Sequence, residues 1–117
     1  MTIQVFGVKG SSGTRAAERF FKERGVPIQM IDLNQKAMAP GEIRRFIERF
    51  TLPGLLDTAG KPYVDAGLQY LRLSDAELLE RIGKEPKLLK LPLVRGPKHV
   101  SIGQDEAAWK GMLPSAP

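Results

Sequence analysis

The feature that most constrains this chain is a change of hydrophobic period close to its N-terminus. Residues 3 to 8, "IQVFGV", are dominated by β-branched and aromatic side chains and run straight into a glycine-rich turn, "KGSSGT", which predicts a short buried strand. From Thr14 onward Ala16, Ala17, Phe20 and Phe21 recur at helical spacing, while Arg15, Glu18, Arg19, Lys22 and Glu23 fill the opposite face. Gly25 and Pro27 stop this helix, and Ser11 or Ser12 stands near its N-cap. Strand character returns in "PIQMIDL", Pro27 to Leu33. A strand–helix–strand unit with a crossover of this length favours parallel strands and a right-handed connection.

After Leu33 the pattern turns helical for nearly half the chain. "APGEIRRFIERF" opens on Pro40 and carries Ile43, Phe46, Ile47 and Phe50 on one stripe. "LPGLLDTAGKPYVDAGL" is punctuated by Gly and Pro and predicts a short helix near Val64 to Leu68. "LSDAELLERIGKEPKLLKL" begins with a capping-box signature, Ser74 followed three residues later by Glu77, and Pro86 divides it from a short turn at "KLLK". Leu91 to Ile102 is extended again, with "GPK" as a hairpin turn. Gln104 or Asp105 caps a last helix, "DEAAWKGML", and "PSAP" reads as a frayed tail. The expected architecture is α/β: a thioredoxin-like four-stranded mixed sheet in one domain, residues 1–117, with a helical insertion at about 36–90.

Composition bounds the chemistry. At 117 residues, 42% hydrophobic and 26% charged, the chain suits one ordinary soluble globule. It contains no cysteine, which excludes thiolate nucleophiles, disulfides, iron–sulfur clusters and thiolate zinc sites, and its one histidine weakens any histidine-based metal site. No apolar run approaches the roughly 20 residues of a membrane span, and "MTIQVFGVKG" lacks the zones of a signal peptide, so the expected location is cytoplasmic. The net charge of +5 is modest. It bears on association rather than fold, and direct nucleic-acid binding is not expected from it.

Four stretches in order resemble the arsenate reductase-like family of thioredoxin-fold proteins, which also contains the Spx transcriptional regulators. They are "VFGVKGSSGTRAAERFF", "LLDTAGKPYVDAGL", "LSDAELLERIGKEPKLLKLPLV" and "GQDEAAWKGML". The resemblance covers nearly the whole chain. It implies that the loop Gly10, Ser11, Ser12, Gly13, Thr14 stands where catalytic members hold their active site, with Ser11 in place of the nucleophilic cysteine. A helix N-terminus lowers a thiol's pKa and holds an oxyanion, but a serine hydroxyl needs a general base, and no histidine lies nearby in sequence. The family's anion-binding arginines are replaced as well. One place, just before the proline that opens the third strand, is Leu91; the other, after the paired leucines of the insert, matches Asp57. Regulators of the Spx type resemble the reductases in carrying an arginine at the place of Leu91. No residue is therefore expected to be catalytic, and no cofactor or metal is implied.

Two readings of the loop stand side by side. Ser11 and Ser12 cap the helix, a role worth about 1 kcal/mol; or "GSSGT" holds glutathione or a small oxyanion at the helix N-terminus. The resemblance implies a cis bond at Pro92 beside the loop and, through the Spx branch, a protein partner such as RNA polymerase. His99 reads as an exposed turn residue and Trp109, on a stripe with Met112 and Leu113, as core. Lys84, Lys87, Lys90, Arg95 and Lys98 form the densest charge asymmetry and become a patch for an acidic partner if they converge in space.

Overall fold

The first strand, β1 (Ile3–Gly7), is buried except at the half-buried Gln4 and serves both faces of the sheet: Ile3 and Val5 point into one core, Phe6 into the other, as the two-residue strand period requires. The structure, a computed structural model, describes residues 3–113. Helix α1 (Ser12–Glu23) follows, then β2 (Ile28–Asp32), which pairs parallel with β1 from Ile3 opposite Ile28 to Gly7 opposite Asp32. The short strands β3 (Leu93–Arg95) and β4 (Val100–Ile102) complete a mixed sheet in the order β2–β1–β3–β4, antiparallel at both later pairings. A four-stranded α/β thioredoxin-like sheet is thus what the period pattern predicts and what the chain forms.

Between β2 and β3 lie α2 (Pro40–Phe50), α3 (Lys61–Asp65) and α4 (Asp75–Lys84), with 3₁₀ turns at Pro53–Leu55, Leu68–Tyr70 and Pro86–Leu88. Helix α3 starts earlier than its predicted place near Val64 to Leu68. Gly60 forms its N-cap and Pro62 fills its first turn, while Gly67, left-handed at φ 68°, ends the helical path. Thr51 ends α2 at φ 67° and ψ 158°, a conformation that glycine favours. Its N–H donates to the Ile47 carbonyl at 2.7 Å and its Oγ1 accepts from Gly54 N–H at 3.2 Å. The capping box of α4 forms as its sequence predicts: Ser74 Oγ accepts from Glu77 N–H, and the Glu77 carboxylate accepts from Ser74 N–H.

The insert is laced back to the sheet. Asp57 N–H donates to the Leu88 carbonyl and Lys90 N–H to the Leu55 carbonyl, each at 2.8 Å, around an antiparallel bridge between Leu56 and Leu89. Gly96 N–H donates to the His99 carbonyl at 2.8 Å to close the β3–β4 turn, and Asp105, whose carboxylate accepts from Ala108 N–H, caps α5 (Glu106–Gly111). Trp109 and Met112 are buried, as their stripe predicts, and His99 is exposed. The "PSAP" tail lies outside the described residues. Among the described residues no helix is long and apolar enough to cross a membrane.

Candidate functional site

The loop after β1 turns on Ser11. Its N–H donates to the Val8 carbonyl at 3.1 Å and its backbone is extended, φ −85° and ψ 122°, as an N-cap requires. Its Oγ accepts from Thr14 N–H at 3.2 Å, so one of the orphan donors at the start of α1 is already satisfied by the serine. Gly13 lies buried against the segment that leads into β3. A Cβ added there would come within 2.5 Å of the Leu91 carbonyl, and only a glycine permits that approach. The Leu91–Pro92 peptide bond is cis, and Pro92 is fully buried.

These pieces form one wall of an open cleft of about 360 Å³. Gly10, Ser11, Ser12 and Gly13 face Asp57 and Lys61 of the insert, with Lys87, Leu91 and Gln104 on the remaining sides. The fold thus gathers the three positions at which the resemblance implies a departure from the reductase pattern: Ser11, Asp57 and Leu91 share one cleft. Two cations join them. The Lys87 side chain reaches over the loop, its Nζ standing 3.6 Å from the place a Cβ on Gly10 would occupy, and Lys61 enters from the first turn of α3. Lys61 does not stand out as a site residue on the basis of spacing, and Lys87 stands out only as part of the basic run, because the tie between Leu55 and Lys90 that carries them to the loop joins residues far apart in sequence. Thr14 is fully buried, its Oγ1 packed toward Gly7 rather than lining the cleft.

Chemically the cleft holds two serine hydroxyls, the Gln104 amide, a carboxylate and two ammonium groups. His99 does not supply a base to Ser11; it lines a different groove with Arg45 and Lys98. Among the described residues no group of acidic or histidine side chains is arranged to hold a metal ion.

The five basic positions do not line one groove. Lys84 and Lys87 border an open groove between α3 and α4 together with Lys61 and Arg81, and there they meet Asp65, Glu77, Glu80 and Glu85. Lys84 pairs with Glu80 at 3.2 Å. Lys90 is held by its backbone to Leu55 and Gly103, and Arg95 sits in β3 opposite Gln4 and Val100. Lys98 faces another groove, beside Arg45 and Arg49. The run is dense in sequence, but the turn at Pro86, the strand and the hairpin distribute it over separate faces.

Comparison with known proteins places this geometry. The model of the ArsC family matches residues 6–112. The chain is 28% identical to the global transcriptional regulator Spx 2 of Oceanobacillus iheyensis, over 97% of this chain and 85% of that protein. Among solved structures it superposes on the YffB protein with a TM-score of 0.81 at 18% identity, covering 96% of this chain and 99% of that one. It superposes on an arsenate reductase from Vibrio cholerae with a TM-score of 0.78 at 19% identity, covering 97% and 98%. At those identities the two structural likenesses speak for the fold. With nearly its whole described length matched by the family model, this cysteine-free chain belongs to the ArsC family.

Proposed function

We propose that this protein is a non-catalytic member of its family that works by binding a protein partner, as a regulatory module. One observation carries the reading: at the head of α1, where a reductase needs a thiolate, stands Ser11, whose hydroxyl is engaged in capping, in a chain with no sulfur nucleophile anywhere. Reduction of an arsenical oxyanion by thiols requires a sulfur to take up the oxidising equivalents, and Leu91 and Asp57 provide no guanidinium to hold the anion. The likeness to a transcriptional regulator supports the binding role, and the sequence resemblance to Spx makes RNA polymerase the partner to test first. Purified RNA polymerase passed over the immobilised chain is expected to be retained, and arsenate reduction with glutathione and glutaredoxin to be absent. Turnover in that assay would overturn the reading.

A second reading rests on Lys61 and Lys87, which bring two positive charges to the Ser11 loop against the single carboxylate of Asp57. Such a cleft suits glutathione or a small oxyanion. Calorimetric titration with glutathione, phosphate, sulfate and arsenate tests it: saturable heat that disappears in Ser11→Ala and Lys87→Ala favours a ligand-binding enzyme, and silence removes it.

A further inference from the structure

We propose that the groove between α2, the β3–β4 turn and α5 is a docking site for an acidic segment of a protein partner. The inference deepens the binding reading above, on which it rests, by giving the partner's chemistry. Arg45 and Arg49 lie one turn apart on the exposed face of α2, Lys98 stands in the β3–β4 turn, and all three line one open groove of about 630 Å³. Glu48 is the groove's one carboxylate. None of the three cations has an ion-pair partner, the single ion pair among the described residues being Lys84–Glu80 on another face. Like charges at i and i+4 repel on a bare helix, and an incoming carboxylate relieves that repulsion. Guanidinium forks donate two parallel hydrogen bonds to a carboxylate, which gives the arginine pair directional preference as well as charge.

The rest of the groove suits an incoming chain. Val100, Ala108 and Gly111 also line it, small side chains that leave room for a backbone, and Val100 belongs to β4, the outer strand of the sheet. The contrast with the groove between α3 and α4 isolates the signal: there Lys61, Arg81, Lys84 and Lys87 face Asp65, Glu77, Glu80 and Glu85, four against four, whereas here three cations face one acid. Glu48 also decides between acidic polymers. It stands between the two arginines in sequence and repels a phosphate placed beside it, while a protein segment can set a neutral or basic side chain opposite it. His99 is the one aromatic side chain that lines this groove, a single ring rather than the row on which successive bases stack, and the exposed large apolar side chains Val64, Tyr70 and Leu71 lie in the insert.

The test is fluorescence anisotropy of a labelled glutamate-rich peptide at low ionic strength. Saturable binding is expected, weakened about tenfold or more in the double variant Arg45→Glu, Arg49→Glu, and also in Lys98→Glu, which sits on a separate element. The control, Arg81→Glu with Lys84→Glu, changes the net charge by as much as the arginine pair does and is expected to leave affinity within about twofold. Equal weakening by both double variants, no saturable binding, or tighter binding of a labelled DNA oligonucleotide of equal charge would each overturn the proposal. Retention of RNA polymerase by the same variants separates this groove from the broader reading. Polymerase held equally by wild type and the arginine variant overturns the groove and leaves the binding role standing; peptide bound at the groove with no polymerase retained supports the groove and removes that partner.

Discussion

On one face of the sheet α1 and α5 close over a small core in which Phe20, Phe21 and Trp109 meet ring to ring, with centroids 5.1 to 6.3 Å apart, over Ile3, Val5 and Val94. On the other face the insert supplies a broader core, mostly aliphatic, in which Leu52, Leu55, Leu56, Leu68, Ile82 and Leu88 surround a single pair of rings, Phe6 and Phe46. The first core depends on a few large side chains held by two helices. The second is spread over many smaller ones drawn from several short elements, and it forms the wall that carries Asp57, Lys61 and Lys87 to the Ser11 loop. Concentrated packing leaves little tolerance at any one position, whereas distributed packing lets the site-bearing half vary residue by residue.

That contrast breaks most readily at Trp109. Trp109→Ala is expected to lower stability by about 3–5 kcal/mol, read from urea denaturation, because no neighbour can fill the space of an indole fully buried among rings. Leu55→Ala, equally buried in the other core, is expected to cost less, about 3 kcal/mol; a larger loss at Leu55 than at Trp109 would reverse the comparison. The insert side also carries backbone strain that the α1 and α5 side lacks among the described residues. Thr51→Gly is expected to raise the denaturation midpoint by an amount equivalent to about 1 kcal/mol, since a β-branched residue at positive φ is replaced by one that suits it. Ser74→Ala removes the hydroxyl of the α4 capping box and is expected to cost about 1 kcal/mol, with helix content lost on the insert side only.

The smallest expected effect is a pH dependence from the same cap. The hydrogen bonds that the Glu77 carboxylate accepts from the Ser74 backbone and side chain, aided by nearby Arg81, hold its pKa below the usual glutamate range against a small opposing effect of burial. A lowered folded-state pKa means that the ionised form is favoured by folding. The stabilisation is therefore fully present above the unfolded-state value, near pH 4.3, and is lost as pH falls through the lowered folded value. An NMR titration of the Glu77 side chain should show a midpoint below that of a glutamate in an unfolded peptide, moving upward in Ser74→Ala.

The repeating features of this fold could be read from residue order, and the contacts between distant segments could not. Periodicity located both strands of the parallel pair and helices α1, α2 and α4. Cap chemistry placed the end marked by Ser74 and narrowed two others to Ser11 or Ser12 and Gln104 or Asp105, of which Ser11 and Asp105 form the caps. Helix α3 slipped because its apolar residues are too few to show a period, so the Gly60–Lys61–Pro62 start decided where it began. The family frame pointed to Ser11, Asp57 and Leu91, and these do come together. It did not point to Lys61 and Lys87, nor to the pairing of Lys98 with Arg45 and Arg49, because charges adjacent in sequence reach different faces once strands and turns intervene, while charges far apart can share a groove.

The lacing of the insert to the sheet through Leu55–Lys90 and Asp57–Leu88 also bears on motion. A cleft wall held by two backbone hydrogen bonds over a shared core cannot swing aside as a lid without exposing Leu55, Leu56, Leu88 and Leu89 to water together. The Ser11 loop is then reached through an open cleft whose walls stay in place, and the amide protons of Asp57 and Lys90 should exchange only in the rarer openings of the core beneath them.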